Sequence, residues 1–177
     1  MRCPNCGAEN AASELYCSAC GSPLQTDRLS EAEQLLVQKN TAYYGRAFSA
    51  LRGGRTVVWN WAAFAAAPFW AAYRRMTLFA LAAVLAIQAL FWFGLLWLLP
   101  ALMVLCGLFG NWIYYRRVQM IAAEMENQPP DAQAETCRRR GGVTPGGVVL
   151  ATAALLLLGA GMRFFFHGTA HLLYPRG

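Results

Sequence analysis

A run of forty residues from Met76 to Tyr115 contains no Asp, Glu, Lys, Arg or His, and it limits what this chain can fold into. Arginine pairs stand directly before and after the run, at Arg74–Arg75 and Arg116–Arg117. One helical crossing of a bilayer core about 30 Å thick takes about 20 apolar residues. At about 1.5 Å of rise per residue, the run is too long for one crossing and suits two. The sequence therefore predicts a helical hairpin over residues 76–117, within a membrane domain of residues 57–121.

The charge pattern indicates how this hairpin is oriented. Of the fifteen basic residues in the chain, eight lie between Gln34 and Ala123, where no acidic residue occurs. Because cytoplasmic loops of membrane proteins carry the excess of Lys and Arg, both arginine pairs are expected on the cytoplasmic side. The chain opens with MRCPNCG rather than with an apolar core, so we expect no secretory signal. These patterns predict a multi-pass protein of the cytoplasmic (inner) membrane with a cytoplasmic N-terminus.

Two C-x-x-C-G motifs lie within the first 24 residues. Zinc favours a tetrahedron of four thiolates, and each motif supplies two from one tight loop. A redox dithiol or two disulfides are the alternatives, although a chain without export is expected in a reducing compartment. The segment also resembles the short zinc-ribbon modules at the N-termini of many bacterial proteins. We predict a zinc ribbon over residues 1–24. Its structural Zn²⁺ would be held by Cys3, Cys6, Cys17 and Cys20, which leaves no open position for catalysis.

Residues 25–56 are predicted to form an amphipathic basic helix or linker. Ser30-x-x-Glu33 is a capping box that can start a helix, and Gly53–Gly54 would end it. The second half of the segment is basic, which suits contact with an anionic membrane surface. An ordinary helix packed on the ribbon or on the membrane domain explains the pattern equally well.

Residues 57–75 are rich in aromatic side chains and too short for a full crossing. Asn60 is a plausible N-cap, and Pro68 should end or kink a helix near Ala67. A single crossing would also place its flanking arginines on opposite sides of the membrane. We therefore expect an interfacial or re-entrant helical elbow, with a thin extra crossing as the alternative. The residues expected at the membrane interface or in packing around the elbow and the hairpin are Trp59, Asn60, Trp61, Phe64, Pro68, Phe69, Trp70, Tyr73, Arg74, Arg75, Asn111, Arg116 and Arg117.

The motif N-W-A-A-F-x-x-x-P-F-W-x-x-Y-R-[KR]-M, from Asn60 to Met76, resembles the signature of a family of small bacterial integral membrane proteins of unknown function. In that family a Tyr-rich helix precedes the motif, and an apolar hairpin follows it and ends in a sequence like Gly107–Tyr115. The resemblance covers about residues 38–121, although Ala67 stands where such proteins usually carry glycine. The resemblance implies that the chain resides in a membrane, and a zinc ribbon commonly precedes the membrane domain in such proteins. It implies no known reaction.

The rest of the chain completes the expected architecture. Residues 122–142 are predicted as a cytosolic linker, with Arg138–Arg140 as a topology anchor, and residues 143–177 as a C-terminal transmembrane helix and tail. Gln88 and Asn111 are the polar residues inside the hairpin. Each would be stabilised by a hydrogen bond, either with the other or with the Asn60 segment. The predicted fold is an N-terminal zinc ribbon plus an all-α membrane domain, with about three transmembrane helices and the aromatic elbow.

No reactive constellation emerges from the sequence. The run from Met76 to Tyr115 holds no Asp, Glu, Lys, Arg or His, and an ionisable residue within the membrane is the usual mark of a proton path or ion site. No P-loop, HExxH or GxSxG motif occurs. We expect a non-enzymatic membrane anchor or scaffold that is surrounded by membrane lipids and binds an unidentified protein partner through the ribbon. Homo-oligomerisation is left open. The alternatives are a membrane-tethered nucleic-acid binder, which the few basic residues of the ribbon argue against, and a small oligomeric channel or lipid-handling protein.

Overall fold

The computed structural model describes residues 2–3, 5–11, 14, 16–22, 24 and 29–173, with the side chains of residues 162 and 165–173 excluded. The predicted C-terminal tail at residues 174–177 lies outside the described residues. Within the described part, a small N-terminal module with one isolated β-bridge, Arg2 to Glu9, precedes an all-helical body. The helices are α1 (Glu31–Val37), α2 (Thr41–Arg52), α3 (Trp61–Tyr73), α4 (Thr77–Trp92), α5 (Leu99–Glu126), α6 (Pro130–Arg140) and α7 (Pro145–Leu173), with a 3₁₀ turn at Leu96–Leu98.

The chain forms two compact units. Unit 1 comprises Met1–Trp59 and Asn111–Gly142, and unit 2 comprises Asn60–Gly110 and Val143–Gly177. The long helix α5 therefore contributes its first part to unit 2 and its last part to unit 1. Each unit has its own packing.

Unit 1 begins its helical part with the predicted capping box. The hydroxyl of Ser30 accepts a hydrogen bond from the backbone N–H of Glu33, whose carboxylate accepts one from the N–H of Ser30 at 2.7 Å. The helix expected to run from this cap to Gly53 is instead two helices, α1 and α2. Gln38 and Asn40 adopt positive φ values of 56° and 60°, and this left-handed backbone ends α1 before α2 starts.

Aromatic side chains from α2 and the last part of α5 form the core of unit 1. The rings of Tyr44 and Tyr114 lie 4.9 Å apart, and those of Phe48 and Tyr115 lie 5.1 Å apart, both pairs edge to face. Phe48 is fully buried. Each such pair contributes about 0.5–1.5 kcal/mol beyond the area that it buries.

The segment 122–142, predicted as a polar linker, is largely helical. Helix α5 runs on to Glu126, and Pro130 then starts α6 at a position where proline loses no helical hydrogen bond. The side chain of Cys137 is buried, with its sulfur 3.7 Å from that of Met125. The backbone N–H of Gly142 donates to the carbonyl of Leu36 at 2.7 Å. The linker prediction missed α6 because its apolar contacts come from distant parts of the sequence.

Unit 2 contains the aromatic elbow as a broken helix. Asn60 caps α3, since its side-chain oxygen accepts from the N–H of Ala63 at 2.9 Å. Ala66 has non-helical φ and ψ values of −152° and 49°, two residues before Pro68. Proline restricts the residues before it and removes a helical hydrogen bond, so α3 consists of two short helical pieces.

Helices α3, α4 and α7 pack together in unit 2. The side-chain amide of Gln88 in α4 donates to the carbonyl of Leu155 in α7 at 2.7 Å. The N–H of Thr144 donates to the carbonyl of Tyr73 at 2.9 Å and joins the start of α7 to the end of α3. The partners predicted for Gln88 were Asn111 and the Asn60 segment. The side-chain amide of Gln88 donates to neither, because the backbone of α7 supplies an acceptor.

Two segments, not three, are long and apolar enough to cross a membrane by length and composition. Within the described residues these are Leu96–Glu126, which contains α5, and Pro130–Gly161, whose apolar part is α7. Helix α4 has 16 residues and is therefore about 24 Å long, short of a bilayer core of about 30 Å. The prediction of about three transmembrane helices is corrected by the length of α4, which ends in a turn where Gly94 has a φ of +70°.

Candidate metal centre and apolar surface

The two C-x-x-C-G motifs fold into matching loops. In the first, the N–H of Gly7 donates to the carbonyl of Cys3 at 3.0 Å, and in the second the N–H of Gly21 donates to that of Cys17 at 2.8 Å. The two glycines have φ values of +75° and +68°. This backbone conformation favours glycine, which explains why a glycine follows each cysteine pair.

The four cysteine sulfurs converge on one point. Their Sγ atoms all lie within 4.8 Å of one another, with 3.6 Å between Cys3 and Cys20 and 3.5 Å between Cys6 and Cys17. A disulfide would require about 2.05 Å, so these sulfurs are not bonded to each other. A tetrahedron with Zn–S distances of about 2.3 Å separates its sulfurs by about 3.8 Å. The residues therefore fit a four-coordinate zinc ion, and the predicted convergence of the four cysteines is confirmed.

Hydrogen bonds shift the pKa values of the ribbon thiols in opposite directions. The side chain and backbone of Ser22 lower the pKa of Cys20 to about 5. The backbone of Ala8 lowers the pKa of Cys6, but the sulfurs of Cys20 and Cys17 outweigh it and raise this pKa to about 12. Because zinc binds the thiolate form of cysteine, a bound ion would stabilise the deprotonated state of all four sulfurs.

Asn10 braces the second cysteine loop from the segment between the two motifs. Its side-chain amide donates to the sulfur of Cys17 at 3.5 Å and to the carbonyl of Ala8 at 2.9 Å. Its side-chain oxygen accepts from the N–H of Ser18 at 2.9 Å. Sequence reasoning missed Asn10; an amide side chain between the two cysteine pairs is the signal that could have found it. Partners of this kind orient metal ligands.

The residues predicted for the membrane interface occupy three different environments. Trp61 and Arg116 are exposed. Arg74, predicted at the membrane interface or in packing, is only 2% exposed, and its guanidinium lies 6.0 Å from the ring centre of Tyr73. The others are half-buried (Trp59, Phe64, Phe69, Tyr73, Arg75 and Arg117) or buried (Asn60, Pro68, Trp70 and Asn111).

Asn111 is fully buried and holds the backbone that leads into the elbow segment. Its side-chain amide donates to the hydroxyl of Tyr43 at 2.7 Å and to the carbonyls of Val58 and Trp59, both at 3.2 Å. The hydroxyl of Tyr43 donates in turn to the carbonyl of Trp59 at 3.0 Å. Asn111 therefore uses residues directly before Asn60, one of the two alternatives that the sequence left open.

Glu33 has a role in unit 1 that sequence reasoning missed. Its carboxylate is 1% exposed and accepts from the side-chain amide of Gln119 at 2.6 Å. Both carboxylate oxygens lie 3.2 Å from a guanidinium nitrogen of Arg52. The capping box identified Glu33 as a cap, but its long-range partners carry no local sequence signal.

The apolar helices of unit 2 face outward. Only 17% of the apolar window of Leu96–Glu126 and 6% of that of Pro130–Gly161 is buried within the chain. Contiguous apolar patches of this kind on a monomer mark contact with a membrane or with another protein. The large exposed apolar residues of these helices and the turn between α4 and α5 include Leu78, Phe93, Trp97, Leu150, Leu157 and Phe164.

Comparison with known proteins assigns the N-terminal module. Residues 2–24 match the zinc-ribbon domain family. No matching curated protein and no matching solved structure was found for the chain. The resemblance of residues 38–121 to a bacterial membrane family remains a prediction. The cysteine geometry and the family match agree, and the N-terminal module of this chain is a zinc ribbon.

Proposed function

We propose that this chain is a non-enzymatic integral membrane protein that anchors a protein partner through its zinc ribbon. The outward-facing apolar surface of α4, α5 and α7 is the observation that carries the proposal, because water cannot solvate it without a large free-energy cost. Lipid would cover this surface at a gain of about 25 cal/mol for each Å² removed from water.

The distribution of charge supports the proposed orientation. Arg116 and Arg117 follow the apolar part of α5, and Arg138–Arg140 precede α7. Arg140 pairs with Glu124, and Arg139 pairs with Glu135 at 2.6 Å. Because positive residues beside apolar helices remain on the cytoplasmic side, we infer a cytoplasmic N-terminal ribbon and a multi-pass protein of the inner membrane.

The chemistry of the ribbon favours binding over catalysis. A site with four thiolate ligands is closed, whereas catalytic zinc keeps one position for water or substrate. The ribbon also presents an aromatic side chain, since Tyr16 is 64% exposed between the two cysteine motifs. Exposed tyrosines are common anchors of protein interfaces.

Affinity capture from crosslinked membranes tests this function. The test variant replaces Cys3, Cys6, Cys17 and Cys20 by serine, and the matched control replaces Cys106 and Cys137, which lie outside the ribbon. We expect the ribbon variant to stay in the membrane and lose a partner that the wild type and the control retain. A partner that survives loss of all four ribbon cysteines contradicts the docking role, and release of the variant into the soluble fraction contradicts anchoring by the helices.

A further inference from the structure

An open cleft of about 590 Å³ lies in unit 1 between α1, the last turns of α5 and α6. We call its apolar lining the floor, which consists of Leu35, Met125 and the small side chains of Ala32, Ala122 and Ala123. Leu35 is 54% exposed even though it belongs to a helix that packs in unit 1. A floor of alanines allows the backbone of a visiting helix to approach closely. The apolar lining of the cleft therefore suits the apolar face of a helix.

The rim of the cleft carries negative charge in a chain whose net charge is +6. Glu31 and Glu126 line it, together with neutral polar residues, and within the described part of the chain no Lys or Arg lines the cleft. Three other acids in the helices of unit 1 have arginine partners: Glu33 with Arg52, Glu124 with Arg140 and Glu135 with Arg139. Neither rim glutamate forms an ion pair among the residues that the structure describes.

We propose that this cleft binds a basic amphipathic helix of a protein partner. The apolar face of the helix would cover Leu35 and the alanines, and its Lys or Arg side chains would reach Glu31 and Glu126. Anionic lipid headgroups do not suit the site, because the rim carboxylates repel them. A second copy of this chain does not suit it either, because the apolar face of its basic helix α2 is buried in its own unit 1. The inference does not depend on what the ribbon binds.

Peptide binding to the purified full chain in a neutral detergent tests the proposal. The probe is a fluorescent synthetic amphipathic helix of leucine and lysine, and a helix with glutamate in place of each lysine is the reference. Because the protein is basic overall, saturable binding of the lysine peptide requires a local acidic site. We expect the lysine peptide to bind, the glutamate peptide to bind at least tenfold more weakly, and added salt to weaken binding.

Variants of the cleft make the test specific. The double substitution Glu31→Gln and Glu126→Gln should weaken binding about threefold to tenfold, and Ala123→Lys should abolish it by adding bulk and a like charge to the floor. Glu9→Gln and Ala134→Lys make the same chemical changes at exposed positions outside the cleft and should leave binding unchanged. All variants should retain the zinc content and far-ultraviolet circular dichroism of the wild type. Absence of saturable binding, equal binding of the two peptides, or equal affinity of cleft variants and controls overturns the proposal.

Discussion

The buried carboxylate of Glu33 accepts a hydrogen bond of 2.6 Å from the side-chain amide of Gln119, which lies 86 positions further along the chain. The same carboxylate lies 3.2 Å from Arg52 and also completes the cap of α1. One side chain thus joins α1, α2 and the last part of α5. A buried charge is tolerated only when it is paired and hydrogen-bonded, and Glu33 meets both conditions.

Replacement of Glu33 by alanine should therefore destabilise unit 1 strongly. It leaves Arg52 and Gln119 without this acceptor and removes half of the capping box. We expect a loss of about 2–4 kcal/mol in the free energy of unfolding, somewhat below the usual cost of breaking a buried pair because Arg52 is 25% exposed. Denaturant unfolding in detergent measures this loss, with Glu31→Ala in the same helix turn as the control. Equal stability of the two variants would show that the Glu33 contacts do not support the fold.

Asn111 supplies a second test of buried polar packing. Asn111→Asp replaces a side-chain donor by an acceptor that faces the carbonyls of Val58 and Trp59, whereas Asn111→Leu only removes the hydrogen bonds. We expect both to destabilise the protein, Leu by about 1–3 kcal/mol and Asp by more. Thermal unfolding compares them with Trp112→Leu at the exposed neighbouring position. An aspartate variant as stable as the wild type would contradict this hydrogen-bond assignment.

Two glycines in apolar helices should respond differently to the same substitution. A Cβ atom at Gly110 would lie 2.7 Å from the Cβ of Ala63, whereas a Cβ at Gly161 meets no atom within 4 Å. Gly110→Leu should cost about 1–3 kcal/mol through overpacking, and Gly161→Leu should be neutral or slightly stabilising because leucine favours helices. The unfolding midpoints of the two variants provide the measurement. A reversed order would contradict the packing of α3 against α5 within unit 2.

Removal of the metal should unfold the ribbon and leave the helices intact. A module of this size has a small apolar core, formed by Cys3, Cys17 and Leu24 with Ala8 beside it, so zinc would supply most of its folding free energy, about 10 kcal/mol or more. We expect one zinc ion per chain, and rapid proteolysis of residues 2–24 after chelation with little change in helical circular dichroism. Cys17→Ser should lose the zinc, whereas Cys137→Ser should retain it. Zinc binding that persists without Cys17 would contradict the four-thiolate site.

The features that sequence reasoning predicted are those with local signals. The spacing of the ribbon cysteines identifies the metal ligands, because two loops of fixed geometry bring four sulfurs together wherever the rest of the chain lies. The capping residues Ser30 and Asn60 were identifiable for the same reason, since a cap involves only the next three residues.

The features that it missed depend on distant parts of the chain. The burial of Glu33 requires Arg52 and Gln119, and the helical state of residues 130–140 requires contacts with α1 and α5. The number of crossings was overestimated because the first helix of the apolar run, α4, already ends at Trp92. The turn at Gly94 leaves α4 with only 16 residues.

The central claim is that lipid covers the outward-facing surface of α4, α5 and α7. Fractionation of cells that make the intact chain tests this claim most directly. Membranes washed with alkaline carbonate and with urea should retain the protein, and detergent should be required to release it. The quadruple ribbon variant should behave in the same way, because the helices and not the ribbon hold the chain in the membrane. Recovery of the intact protein as a monodisperse species in the soluble fraction, without detergent, would contradict the account.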